Sequence, residues 1–314
     1  MKFSVVIPTY KRPDDLLRCV NSILSQSLVP AEILIVDDDD LPGSLIDNIK
    51  VNCVAKKVGL IYYKKDLHIE QRGSSESRNK GLSLANNDIV FILDDDVELC
   101  QGFFENIMKI WTSSDDSNLL GVGGVIVNNR PKGTFEKIYN KIFLLDSSIP
   151  WDINDLGFQV WNDWVKDTTK GYYAHGGVCS YNKRVVEKIG LFKTFGGGRT
   201  ALEDVEFCLR AKRNGYYLVV EPKARVFHYQ SKVSRESEEK SGYKEGYNRV
   251  LIYFMHCHKN YWSFLEFRWA NFGWVLRQLL VGHYRKAVGI YRGSREASRR
   301  ILKESHRKTE SIHK

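Results

Sequence analysis

Short, continuously apolar runs that stop on polar clusters recur through the first hundred residues, with amphipathic stretches between them. Phe3-Ser4-Val5-Val6-Ile7 is halted by Pro8, and Glu32 to Val36 runs straight into Asp37-Asp38-Asp39-Asp40. Gly59 to Tyr63 is a third run, and Asp88 to Leu93 ends on Asp94-Asp95-Asp96. A strand that is apolar on both faces belongs in the interior of a parallel sheet, because a half-solvated strand alternates. Between the first two runs, Pro13-Asp14-Asp15 supplies a helical first turn, and Leu16, Leu17, Val20, Ile23 and Leu24 share one face. Ser74 to Ala85 reads as a further helix opened by Ser74 or Ser75. This alternation predicts an α/β fold, a doubly wound, mostly parallel sheet with right-handed crossovers and helices on both faces. Such sheets bind ligands at the carboxyl ends of their strands. Here those ends carry Pro8-Thr9-Tyr10, Asp37-Asp38 and Asp94-Asp95-Asp96, which predicts an acidic site beside an aromatic ring.

Three carboxylates at the mouth of an apolar core repel one another and lose hydration. A divalent cation relieves both costs, and hard oxygen ligands with open positions suit Mg2+ or Mn2+ shared with phosphate oxygens. The same cluster also reads as a solvated acidic turn. The chain has no G-x-x-x-x-G-K-[ST] and no G-x-G-x-x-G opening the first helix, so neither the P-loop nor the dinucleotide fingerprint accounts for the sheet. Arg72 and Arg78 are candidate phosphate contacts, because a guanidinium fork matches phosphate oxygens; a surface ion pair is the alternative for each.

In the second half, Gly196-Gly197-Gly198-Arg199-Thr200 precedes Glu203-Asp204, and a helical pattern follows to a stop at Asn214-Gly215. Two carboxylates at a helix start beside a glycine loop can place a base against a substrate hydroxyl, or can simply complement the helix dipole. Tyr217 to Val220 is a strand, and His228 reads either as a metal ligand or as a satisfied, half-buried histidine. Trp161, Trp164, His175, Gly176 and Gly177 are candidate ligand contacts, because aromatic faces stack on ring-shaped partners and glycine admits close approach; a core role is the alternative for the aromatics.

Together these segments resemble the inverting family 2 glycosyltransferases, which have the GT-A fold. The matching pieces are S-V-V-I-P-T-Y-K-R at 4–12, I-V-D-D at 35–38, S-R-N-K-G at 77–81, F-I-L-D-D-D at 91–96, E-D-V-E-F-C-L-R at 203–210 and V-F-H at 226–228. The resemblance implies a metal-dependent, inverting transfer of a hexosyl or N-acetylhexosaminyl group from a nucleoside-diphosphate sugar, a UDP-sugar first. The acceptor would be a glycan or lipid-linked glycan in surface polysaccharide synthesis, with Trp161, Trp164, His175, Gly176 and Gly177 on the acceptor side. It further implies that Pro8, Tyr10, Arg12, Asp38, Arg72, Arg78, Asn79, Asp94 and Asp95 hold the nucleotide sugar. Asp94, Asp96 and His228 would hold Mn2+ or Mg2+, and Asp204 would be the catalytic base with Glu203 beside it. The chain departs from the family at Asp39-Asp40-Leu41-Pro42, where a serine is common.

Charge divides the chain. Residues 1–244 hold 33 Lys+Arg and 33 Asp+Glu, whereas residues 245–314 hold 14 and 5 and so carry the whole net charge of +9. A catalytic domain over 1–244 and a basic, aromatic, helical region over 245–314 are expected. Within the latter, Leu265, Trp269, Phe272, Leu276, Leu279 and His283 recur at helical spacing, which predicts an amphipathic helix. With Trp262, Trp274 and flanking cations it suits an anionic membrane surface; packing on the enzyme's own body or a homo-oligomer seam are the alternatives. No stretch of 18 apolar residues occurs, and the six cysteines include no Cys-x-x-Cys pair, so a cytoplasmic protein, peripheral on the cytoplasmic face of the membrane, is expected. A chance cluster explains His256-Cys257-His258 better than a zinc site does. Nucleic acid is not an expected partner, since the basic tail would leave both carboxylate clusters unexplained. A nucleotidyltransferase would need a glycine-rich loop where Pro8-Thr9-Tyr10-Lys11-Arg12-Pro13 stands, and a glycosidase has no need of a metal-diphosphate site.

Overall fold

A computed structural model of the chain describes residues 1–195, 201–233 and 235–312, with side chains described to 304. The glycine loop at 196–200 lies outside the described residues. The chain runs β1 (Phe3–Thr9), α1 (Pro13–Leu24), β2 (Glu32–Asp37), α2 (Gly43–Ala55), β3 (Gly59–Lys64), α3 (Ser74–Leu84), β4 (Ile89–Leu93), β5 (Val97–Leu99), α4 (Phe103–Ser113) and β6 (Leu119–Ile126). It continues through α5 (Thr134–Ile142), β7 (Asp152–Ile153), β8 (Gln159–Val160), β9 (Thr169–Gly171), β10 (Val178–Asn182), α6 (Lys183–Ile189), α7 (Glu203–Arg213) and β11 (Tyr217–His228). Three long helices close it: α8 (Glu238–Ile252), α9 (Tyr261–Leu280) and α10 (Tyr284–Ile312).

The strands are ordered β3-β2-β1-β4-β10-β6-β11-β5 in one sheet, with β9 beside β11. The expected parallel half is β3-β2-β1-β4, in which β1 pairs with both β2 and β4. Every residue of β2 and β4 is buried, as their continuous apolar character requires. Between β4 and β6, strand β10 runs antiparallel to both. This inversion carries the chain from Gly176-Gly177 back past the end of β4, so that Asp94 N donates to Gly177 O at 3.0 Å. The two stretches read as a strand and a separate segment, 217–220 and 226–229, form the single strand β11, irregular between Val220 and Arg225.

Two apolar layers sandwich the sheet. One, with Phe3, Val5, Ile7, Phe91, Phe103 and Phe104, lies under α1 and α4. The other joins Val6, Leu34, Val90 and Ile92 to Phe207 and Cys208 of α7, and extends without a break to Val250, Ile252, Phe267, Ala270 and Ala297. The charge boundary at 244 falls inside α8, and the basic region contributes to the same core as the sheet.

Helices α8 and α10 run parallel at very close range. A Cβ on Gly246 would stand 2.1 Å from Ile290 O, and one on Gly293 would stand 2.0 Å from Tyr243 O, both backbone atoms that cannot swing aside. A π-helical turn, Tyr253–Cys257, follows α8 and aims His256 Nε2 at Glu206 Oε1, 3.0 Å away. That partnership, and the hydrogen bond between His258 Nδ1 and Tyr253 OH at 3.2 Å, account for both histidines of the triplet without a metal. The six cysteines are all free.

Glu206 is fully buried and also meets Arg210 at 3.0 Å and Lys193 at 3.3 Å. Burial pushes its carboxyl up, but the bonds from His256 and Arg210 outweigh that and hold it at about 2. Because this value lies below the unfolded one of 4.5, the stabilisation is present above about pH 4.5 and is lost as the pH falls toward 2. Thermal melts between pH 7 and 3 are expected to show a loss of about 2 kcal/mol from this group, and Glu206→Gln is expected to flatten that part of the profile. Gly246→Ala is expected to lower stability by about 1–3 kcal/mol through overpacking of the α8–α10 crossing, read as a fall in the denaturation midpoint.

Candidate active site

The carboxyl ends of β1, β2 and β4, the start of α7 and the end of β11 converge on one cleft of about 890 Å3. Pro8, Tyr10, Arg12, Asp38, Arg72, Arg78, Asp94, Asp95, Asp96, Glu203 and His228 all line it. Gln230, Arg235, Glu236 and Lys240, from the lead into α8, close one side. A groove of similar size lies among α8, α9 and α10; it shares Lys240 with the cleft but has no carboxylate triad.

The aspartates after β4 divide their work. Asp95 turns inward, where Thr9 Oγ1 and Arg12 Nη1 donate to its two oxygens, each at 2.9 Å. Burial pushes its carboxyl up to about 6 against the pull of Arg12. The expected sugar-nucleotide contact is therefore a carboxylate already engaged by its own chain, although it still lines the cleft. Asp94 and Asp96 face His228, and one ligand atom from each lies within 4.8 Å of the others. This set of two carboxylates and an imidazole fits a divalent cation with positions left open. His228 Nε2 lies 3.0 Å from Asp96 Oδ1, and Ser231 N donates to Asp96 Oδ2 at 2.9 Å. Burial opposes ionisation of Asp96, but the His228 bond prevails and holds its carboxyl at about 2. Burial lowers His228 less than its bond to Asp96 and the nearby aspartates raise it, so the net shift is upward.

Arg78 joins the two carboxylate clusters. It is buried, with Nη1 donating to Glu203 Oε1 at 2.8 Å and Nη2 to Asp94 Oδ1 at 3.2 Å. Glu203 also accepts from Ser74 Oγ at 3.1 Å. Its burial raises its pKa against the pull of Arg78. Asp204, the next residue, is half-buried, and its Oδ2 accepts from Tyr173 OH at 3.0 Å. Burial and then the charge of Asp204 keep the Tyr173 hydroxyl protonated and hence a fixed donor. Gly176 and Gly177 are tight against these groups. A Cβ on Gly176 would stand 2.9 Å from Asp204 Cβ, and one on Gly177 would stand 2.1 Å from Asp94 Cγ, so only glycine fits between the two carboxylates.

On the nucleotide side, Arg72 lies over the Tyr10 ring at 4.6 Å, and its Nη1 donates to Tyr10 OH at 3.1 Å. The Asp38 carboxylate is held by Lys65 Nζ at 2.7 Å, Ser77 Oγ at 2.9 Å and Gly73 N at 3.1 Å. Lys65 escapes a motif search, but it stands at the end of β3, where the strand-end rule also applies. The side chain of Asn79 exchanges two hydrogen bonds with the backbone of Phe192; neither it nor Asp204 is among the residues that line the cleft. On the acceptor side, His175 bonds Asp163 at 3.1 Å and meets the edge of Trp161 at 5.9 Å. Trp164 is mostly exposed and donates to Asn129 O at 3.2 Å, and Asn129 in turn donates to Asp163 at 2.7 Å.

Residues 4–190 match the family model for glycosyl transferase family 2. Among characterised proteins, the chain is 28% identical over 234 residues to poly(ribitol-phosphate) beta-N-acetylglucosaminyltransferase TarP of Staphylococcus aureus, covering 70% of this chain and 63% of that one. It is 25% identical over 251 residues to glucosyl-dolichyl phosphate glucuronosyltransferase of Haloferax volcanii, covering 73% and 69%. Among solved structures, mannosyltransferase PcManGT from Pyrobaculum calidifontis, in complex with GDP-Man and Mn2+, superposes with a TM-score of 0.57 at 16% identity, covering 94% of this chain and 80% of that one. GalNAc-T7 with UDP, GalNAc and Mn2+ gives 0.58 at 16% identity, covering 81% and 48%. These likenesses show a GT-A fold, and with more than half of its length matched to the family model, the chain belongs to glycosyl transferase family 2.

Proposed function

We propose that this glycosyltransferase moves a hexosyl or N-acetylhexosaminyl group, with inversion, from a UDP-sugar to a saccharide or lipid-linked saccharide. The observation that carries the reading is the juxtaposition of two chemically distinct carboxylate groups across Gly176-Gly177. On one side stand Asp94, Asp96 and His228, and on the other Asp204.

Asp94, Asp96 and His228 would hold Mn2+ or Mg2+, which when bound stabilises charge on the leaving diphosphate. Both solved structures above contain Mn2+, one of them with UDP, and an N-acetylglucosaminyltransferase is among the relatives. Tyr10 presents its ring for stacking on the base, with Arg72 behind it. Arg12 and Arg78 line the diphosphate region as fixed cations. From the opposite side, Asp204 accepts the proton of the acceptor hydroxyl as its oxygen attacks the anomeric carbon. The bond to the donor diphosphate breaks in the same displacement, and configuration inverts. Tyr173 orients Asp204 for this, whereas Glu203 is tied to Arg78 and Ser74 and acts as its support.

Asp204→Asn is expected to leave UDP-sugar binding within about twofold of the parent while lowering transfer by about 10²–10⁴-fold. Donor binding is read by thermal shift and transfer by release of nucleoside diphosphate. Full turnover by that variant would refute the base assignment. Asp96→Asn is expected to abolish the Mn2+-dependent part of the donor-induced shift, and the same screen with GDP-sugars is expected to give the smaller response.

A further inference from the structure

We propose that the outward faces of α5 and α9 form a docking face for an anionic lipid bilayer, placed to bring a lipid-linked acceptor to the Trp161 side of the cleft. The delivery half of this inference rests on the glycosyl-transfer reading; the docking half does not.

The helical stripe legible in the sequence of α9 points away from the protein. The side of α9 turned to the core is Phe267, Ala270, Gly273 and Gln278, whereas Leu265, Trp269 and Phe272 are 39%, 45% and 55% exposed. Beside them lies α5, whose buried residues are Tyr139 and Asn140. Its Phe135, Ile138 and Ile142 share another side and are 74%, 54% and 56% exposed. The two helices are locked into one surface. Phe143 stacks on Trp269 with centroids 4.8 Å apart, Trp269 Nε1 donates to Ile142 O at 2.8 Å, and Tyr139 OH donates to Gly273 O at 2.7 Å. A contiguous, rigid apolar surface of this kind is a binding surface rather than ordinary solvent-facing protein.

The charges around it select the occupant. Lys137 and Lys141 follow the apolar flank of α5, and Arg268 sits within that of α9; all three are exposed and have no acidic partner among the described residues. Of the nearby carboxylates, Glu136 is already paired with Arg277 and Arg130, and only Glu266 adds an exposed negative charge. Apolar side chains with indole at the boundary and a cationic rim match the headgroup zone of an anionic bilayer. A symmetric second copy would bring together two copies of one face whose unpaired charges are mostly cationic, which an anionic surface complements better. No described helix is long and apolar enough to cross a membrane, and Glu266, Arg268 and Arg277 require α9, about 30 Å long, to lie flat.

The face leads toward the site. Just before α5, Lys132 lies over the Trp161 ring at 5.3 Å, Trp161 meets His175, and Gly176 abuts Asp204. An acceptor whose phosphates stay at headgroup depth would pass Arg130 and Lys132 and present its sugar along this series.

The test is co-sedimentation of the full chain with phosphatidylglycerol/phosphatidylethanolamine vesicles. The parent is expected to bind, less so at 0.5 M NaCl. Phe135→Glu combined with Phe272→Glu is expected to weaken binding at least tenfold, and Lys137→Glu with Lys141→Glu about threefold or more, with unchanged melting midpoints and unchanged UDP-sugar thermal shift in lipid-free buffer. Absence of vesicle binding, or equal binding by the double phenylalanine variant, would overturn the proposal. So would a lipid-free dimer that this variant dissolves while vesicle binding persists, which would assign the face to a second copy. If the parent binds vesicles but no nucleotide sugar, the docking face stands and the transfer reading falls.

Discussion

One buried guanidinium holds the two halves of the site in register. Arg78 arises from α3, a helix whose only strong local signal is its serine-rich start, yet it reaches Asp94 at the end of β4 and Glu203 at the start of α7, about 110 residues later in sequence. Removing Arg78 would strand the buried Glu203 carboxylate, which costs more than the pair itself contributes. The geometry that sets Asp204 opposite the Asp94-Asp96-His228 group follows from it, because Asp204 is fixed by its neighbour Glu203 on one side and by Tyr173 on the other.

A second buried network ties the same helix to the C-terminal region. Glu206, one turn along α7 from Glu203, receives His256 from the π-helical turn after α8 as well as Arg210 and Lys193. The α8–α10 pair, closed by glycines, fixes that turn. Lys240, near the start of α8, lines the cleft itself. The basic region therefore supports the helix that carries Glu203 and Asp204, besides whatever its outward face binds.

The parts legible in the sequence are those set by local pattern. Strands β1, β2 and β4 announce themselves because a strand covered on both faces is apolar throughout, and their ends name most of the cleft by the strand-end rule. Helix α2 has no such signature, since Val51 and Val54 are exposed while Ile49 and Cys53 are buried, so that apolar residues lie on several faces. Strand β10 is invisible as an antiparallel insertion because its partners β4 and β6 are remote in sequence. Asn79 and Asp95 match a motif, but the motif cannot tell a side chain aimed at ligand from one bonded to Phe192 or to Thr9 and Arg12. The α9 stripe fails differently. Periodicity gives a face, not its direction, and here the stripe of Leu265, Trp269 and Phe272 is turned outward while Phe264, Phe267, Ala270 and Trp274 meet the core.

Charge within the cleft bears on the metal more strongly than the count of aspartates does. Arg12 lies 2.9 Å from Asp95 and 3.5 Å from Asp96, and Arg78 serves Asp94 and Glu203. Four carboxylates against two guanidiniums leave two negative charges uncompensated within this group, before Asp204 is counted. The same negative charges favour the protonated form of His228, and against the pull of burial its bond to Asp96 and the charges of Asp94 and Asp96 raise its pKa. A dication held by Asp94, Asp96 and His228 would take the place of that proton, offset the aspartates and need His228 neutral as a ligand. A nucleoside diphosphate without the cation would set its phosphates against the aspartates after β4, although the lining of the cleft as a whole balances six carboxylates with six Lys and Arg side chains. Donor and metal binding would then be linked through the same three side chains, and the described residues beyond 244, none of which lines the cleft, would not substitute for the ion.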